Sequence, residues 1–110
     1  MSDNNKAYPI PFFDRPDYTL VRGEDVEAVF PQYEGKDQKE ITHINFRAIG
    51  EENTGPTIFQ PFNPNGETRA TFPGSSFAII RNKKVVLTAE PHTENGHGVV
   101  TNDKPYFFDK

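Results

Sequence analysis

The chain predicts an antiparallel all-β fold, a sandwich of about seven or eight short strands, and three observations predict it. Short runs rich in Val, Ile, Thr and Phe recur about every ten residues, with Gly, Pro or Asn between them. Ten prolines are spread over 110 residues, a density that works against long helices. No segment offers the amphipathic helix of roughly 10 to 15 residues that a parallel crossover needs, which excludes an α/β layout. A small closed β-barrel is the alternative architecture.

Residues 1–6 are polar and terminal and read as a disordered tail, leaving residues 7–110 as one domain. Ala7 to Asp17 is an arm: Pro9, Pro11 and Pro16 hold it extended, while Tyr8, Ile10, Phe12 and Phe13 supply apolar area. Such an arm must lie against something, either its own domain as an edge strand or a neighbouring chain. Tyr18 to Arg22 reads as a strand broken at Gly23. Val26 to Phe30 alternates as a strand, although Glu24, Asp25 and Glu27 would also suit the first turn of a helix; Pro31 ends either one. Gln32 to Lys39 is a charged loop.

Glu40 to Ile49 alternates over its middle, which assigns Thr42, Ile44, Phe46 and Ala48 to the core and turns His43, Asn45 and Arg47 the other way. Gly50 to Pro56 carries turn signals throughout, and Thr57 to Gln60 is a short strand that Pro61 stops or confines to a sheet edge. Asn63 to Gly66 is a turn, and Glu67 to Phe72 a strand. Ser76 to Ala89 is the loudest stretch: Phe77 to Ile80 and Val85 to Thr88 flank Arg81 to Lys84 as the two strands of a central β-hairpin. Glu90 to Gly98 is a polar loop with a reverse turn at Asn95-Gly96, Val99 to Thr101 a strand, Asn102 to Pro105 a turn, and Tyr106 to Phe108 the closing strand.

Composition narrows function. The net charge of -4, with no basic cluster beyond Arg81, Lys83 and Lys84, suits a nucleic-acid backbone poorly. No apolar run reaches the roughly 20 residues of a spanning helix. The absence of cysteine removes disulfides, thiolate metal sites and thiol nucleophiles. With no signal-peptide pattern at Met1 to Lys6, it favours a cytoplasmic setting. Serine stands only at positions 2, 75 and 76, with no nucleophile elbow and no glycine-rich phosphate loop, so neither an enzyme nor a cofactor is expected.

The aromatic inventory, ten Phe and four Tyr without Trp, exceeds what one thin sandwich core usually holds. The surplus points to a non-enzymatic protein-interaction module, a subunit of an assembly or a binder or inhibitor of another protein. Its contact set would be Tyr8, Ile10, Phe12, Phe13, Phe59, Phe62, Tyr106, Phe107 and Phe108, meeting a protein partner or a second copy, with strand addition at the two terminal segments. Two other chemistries stand beside this. His43, Asn45 and Arg47 could hydrogen-bond a carbohydrate beside a tyrosine plate, Tyr8, Tyr18, Tyr33 or Tyr106, as in a lectin. His92, Glu94 and His97 could hold zinc for a metal-dependent activity if the Asn95-Gly96 turn sets the two histidines on paired strands; otherwise they are a solvated hairpin tip.

Overall fold

The computed structural model describes residues 8–109, so the disorder expected for residues 1–6 falls outside the described residues. Among the described residues, ten strands form two sheets: β1 (Phe12–Phe13), β2 (Thr19–Leu20), β3 (Val26–Phe30), β4 (His43–Gly50), β5 (Thr54–Pro61), β6 (Thr68–Phe72), β7 (Lys84–Thr93), β8 (Gly96–His97), β9 (Val100–Thr101) and β10 (Tyr106–Phe108). The smaller sheet runs β1-β3-β6. The larger runs β2-β10-β7-β4-β5, with β8 and β9 also on β7. The expected sandwich is what forms, and it is not closed into a barrel.

Burial alternates as the pleat requires. On β4, Ile44, Phe46 and Ala48 are fully buried between the sheets, as their spacing predicts. Thr42, assigned to the same face, is instead exposed and precedes the strand. On β3, Val26, Ala28 and Phe30 face inward, and the strand reading of this segment holds. The centre of the core is a ring cluster: Phe13 packs edge-on to Phe72, Phe77 and Tyr106, and Phe77 edge-on to Phe108.

The central hairpin does not form. Gly74–Ile79 is a 3-10 helix, and one strand of ten residues, β7, follows from Lys84. Ser76 starts the helical turn, its N–H and its hydroxyl both donating to the Pro73 carbonyl, at 2.9 and 2.6 Å. Phe77 and Ile80, three residues apart, are buried, while Ile79 between them is 55% exposed. A short apolar run satisfies a period of three as readily as a period of two, and the core here takes the period of three. The polar loop expected over Glu90 to Gly98 is likewise replaced by the end of β7, a tight turn and β8. Pro91 sits within β7 with its carbonyl accepting from Gly98 N at 3.1 Å, so its missing N–H faces the same side. The opposing chain leaves its strand at 98–99, between β8 and β9, where Pro91 has no N–H to offer. The turn expected over Gly50 to Pro56 is shorter, because β5 already begins at Thr54.

Both terminal segments are drawn inside. β1 pairs with β3 of its own chain, and β10 lies between β7 and β2. Phe13, Tyr106 and Phe108 are therefore core residues rather than contact residues; β10 is an interior strand, whereas β1 is the terminal strand of the smaller sheet, with its Phe13 N–H taken by Tyr106 Oη. Tyr8, Phe12 and Phe62 are partly buried, whereas Ile10, Phe59 and Phe107 stay exposed. No helix of the described residues is long and apolar enough to cross a membrane.

Candidate functional site

β4 lies between β5 and β7, so the polar row that alternates with its core residues stands on the outer face of the larger sheet, flanked by both neighbours. Register decides what meets there. His43 is opposite Pro61 on one side and His92 on the other, and His92 is in turn opposite His97. One step along, Asn45 is opposite Phe59 and Glu90; the next step sets Arg47 opposite Thr57 and Thr88. The outer face thus carries an imidazole row, then an amide and carboxylate row, then a guanidinium row.

The rings form a continuous stack. Phe59 to His43, His43 to His92 and His92 to His97 have centroids 5.1, 4.5 and 4.8 Å apart and planes within 23°, 12° and 19° of parallel. The sequence expectation that the turn sets His92 against His97 is met. Glu94 and Asn95 form the turn tip and Gly96 takes a φ of +139°, which favours glycine. The stack does not favour the zinc reading: parallel imidazoles present faces to each other instead of converging their nitrogens. No group of three His, Cys, Asp or Glu side chains among the described residues is arranged to hold an ion.

Glu90 is the polar hub. Its Oε1 accepts from Asn45 Nδ2 at 3.1 Å and lies 3.4 Å from His92 Nε2, while its Oε2 is 3.8 Å from Arg47 Nη1. Its side chain is only 13% exposed, so this carboxylate is held mainly by protein groups. His43 Nδ1 lies 3.0 Å from Thr42 Oγ1. Burial, and then the neighbouring His92, hold the His43 imidazole below its ordinary pKa, so it is neutral at pH 7. Three of the polar atoms sealed here without a hydrogen-bond partner belong to the row the sequence singled out: His43 Nε2, Asn45 Oδ1 and Arg47 Nε. Asn45, expected on a wet face, is 3% exposed beneath its neighbours.

Because the rings lean on one another, their broad faces are already used and only the ends of the stack remain open. Phe59, 61% exposed, is one end. It also lies on β5, the terminal strand of the larger sheet. Phe62 N donates to Thr42 O at 3.1 Å, and β5 pairs with β4 as 58 with 46 and 60 with 44. Even-numbered β5 residues therefore address β4, and Thr57, Phe59 and Pro61 turn their backbone groups outward. Pro61 has no N–H, so the free edge offers the N–H groups of Thr57 and Phe59 and the carbonyls of all three. That Pro61 marks a sheet edge agrees with the sequence expectation.

Of the tyrosine plates expected for a sugar, Tyr33 and Tyr106 are buried and Tyr8 leans on Tyr33 at 5.0 Å. Tyr18 leans on Tyr106 and carries Lys104 over its ring. Sequence reasoning placed Phe59 in the contact set but missed its stacking on His43 and the role of Glu90. One signal was there to be read: from Asn53 to Gly66 no side chain is charged, in a chain that is 25% charged.

No family model matches the chain, and no curated protein matches it. A crystal structure of an engineered protein is similar in fold, with a TM-score of 0.57 and 12% identity over 93% of this chain; the chain spans 20% of that protein.

Proposed function

We propose that this protein is a non-enzymatic protein-recognition module that meets an extended segment of a partner at the β5 edge, with Phe59 as the anchor. One observation carries the reading: the most exposed large aromatic, Phe59, ends a ring stack on the strand whose N–H and carbonyl groups are free. Main-chain pairing supplies affinity in such an edge, and the ring supplies a desolvated anchor already fixed by the stack beneath it. Acting as a subunit of an assembly or as a binder or inhibitor both fit this surface. A second reading, carbohydrate binding, draws on Arg47 and Glu90 with the unpaired carbonyl of Asn45. It is the weaker one, because the open face of Phe59, the ring beyond which the larger sheet has no further strand, lies on the side away from those polar groups.

Selection from a displayed peptide library, followed by amide hydrogen exchange, tests the leading reading. Bound peptides are expected to protect the Thr57 and Phe59 amides and to lose binding to Phe59→Lys. Peptides that bind Phe59→Lys unchanged would remove the edge from consideration. A glycan bound by the protein and lost on Arg47→Ala would transfer the assignment to carbohydrate.

A further inference from the structure

We propose that the segment which docks on β5 is β5 of a second copy of this chain, antiparallel about a two-fold axis through Ile58. This rests on the reading of β5 as the contact edge, and it names the partner.

The edge is complementary to itself. With Ile58 opposite Ile58 of the second copy, Thr57 stands opposite its Phe59, and Phe59 opposite its Thr57. All four residues point their backbone groups across the junction. The Thr57 and Phe59 N–H groups of both copies are then consumed in four mutual bonds, which leaves none of these donors unpaired. The next position places Pro61, which has no N–H, opposite Gly55, so the ladder ends there.

Charge points the same way. A net -4 chain repels its copy, and natural edges are commonly guarded by lysine. This edge carries no charged guard, its prolines standing at 56 and 61 on either side of Thr57 to Gln60: Asn53 to Gly66 is uncharged, so the paired strands bring no like charges together. On the outer face the two Phe59 rings become diagonal neighbours at roughly 7–8 Å, within reach of each other for aromatic side chains. The open ends of two ring stacks are thereby covered.

Sedimentation velocity from low micromolar to near-millimolar protein is the first test. A mass rising toward twice 12.5 kDa is expected. Thr57→Pro, which removes a donor β4 does not use, should raise the dimer dissociation constant on the order of tenfold or more while the circular dichroism spectrum is unchanged. Because the chain has no cysteine, single replacements report register. Cys in Ile58→Cys would meet its copy at a Cα separation of about 4.5 Å, inside the range a disulfide bridges. Cys in Gln60→Cys would lie four residues from its copy along the strands, about 13 Å away, and should stay reduced. A monomer at every concentration overturns the second copy as occupant, and the peptide selection above then decides the edge by itself. A dimer that cross-links through position 60, or one indifferent to Thr57→Pro, overturns it equally.

Discussion

His43 and His92 face each other directly across β4 and β7, their planes 12° from parallel and their centroids 4.5 Å apart. Burial disfavours the charged form of His43, and the neighbouring His92 disfavours it further. In the unfolded chain His43 takes up a proton near its ordinary 6.5, whereas in the fold it does so only at lower pH. The unfolded state therefore binds more protons in that window, and stability falls as pH is lowered through 6.5. Urea midpoints measured across this range should decline, and His43→Phe, which keeps a ring in the stack, should flatten the decline. An unchanged slope in the variant would assign the effect to another group.

Asp37 is gripped by two phenols. Tyr8 Oη donates to Oδ2 and Tyr33 Oη to Oδ1, each at 2.6 Å. Burial pushes the carboxyl up, but the hydrogen bonds from Tyr33 and then Tyr8 outweigh it and hold Asp37 below its ordinary 3.8. Burial, then the bond to Asp37, pushes Tyr8 up to about 12 and raises Tyr33 as well. The contribution of Asp37 is present above 3.8 and is lost as pH falls through its lower folded value. The phenols act at the other limit: above 10 the unfolded chain releases their protons first, and stability drops. Asp37→Asn should cost about 1 to 3 kcal/mol at neutral pH and bring the Tyr8 titration, followed by phenolate absorbance, down toward 10.

The strand pattern was legible wherever burial alternates. Ile44, Phe46 and Ala48 announced their shared face, Pro61 its edge, and the Asn95-Gly96 turn the pairing of His92 with His97. The run Phe77 to Ile80 was not, because four apolar residues in a row carry no period, and only the tertiary pocket that accepts Phe77 and Ile80 selects the 3-10 turn. The outer face of the larger sheet was half legible for a related reason. Local alternation groups His43, Asn45 and Arg47, but Phe59 and Glu90 join them only because β5 and β7 both lie beside β4, a long-range register no local rule encodes. The same limit hid the fate of the terminal rings. A Pro-flanked aromatic looks like surplus until a distant strand closes over it, as β10 does over Phe13.

Gly74 illustrates how close such closures are. Its N–H donates to Asp25 Oδ1 at 2.8 Å, and a Cβ there would lie inside the van der Waals shell of the Gly23 carbonyl and 2.6 Å from Glu24 N. Those are backbone atoms and cannot swing aside. Gly74→Ala should lower stability by about 1 to 3 kcal/mol or more by overpacking. Gly66→Ala, which meets nothing nearer than Asn63 Nδ2 at 3.4 Å, should stay within about 1 kcal/mol of the parent in the same urea titration. Equal midpoints for the two variants would contradict the close approach.

Tyr106 holds the N-terminal arm. Phe13 N donates to its Oη at 2.9 Å, and that hydroxyl donates to Phe13 O at 3.2 Å, within the buried core. Asp14 N is bonded to Glu27 O on β3, so Phe13 turns its N–H away from the smaller sheet, where Tyr106 stands in for a ladder partner. The Phe13 carbonyl also accepts from Arg15 N at 2.7 Å and keeps a partner without the phenol; the N–H does not. Tyr106→Phe preserves the ring contacts and orphans that one donor, which should cost about 1 to 3 kcal/mol. Because β1 is only two residues long, the loss should appear first as local opening: faster exchange of the Phe13 amide and earlier proteolysis within residues 8–16 than elsewhere. Asn102 Nδ2 tethers the same arm through Pro11 O at 2.9 Å, so Asn102→Ala combined with Tyr106→Phe should exceed the sum of the single effects. A Phe13 amide as well protected in Tyr106→Phe as in the parent would show that strand pairing alone keeps the arm in place.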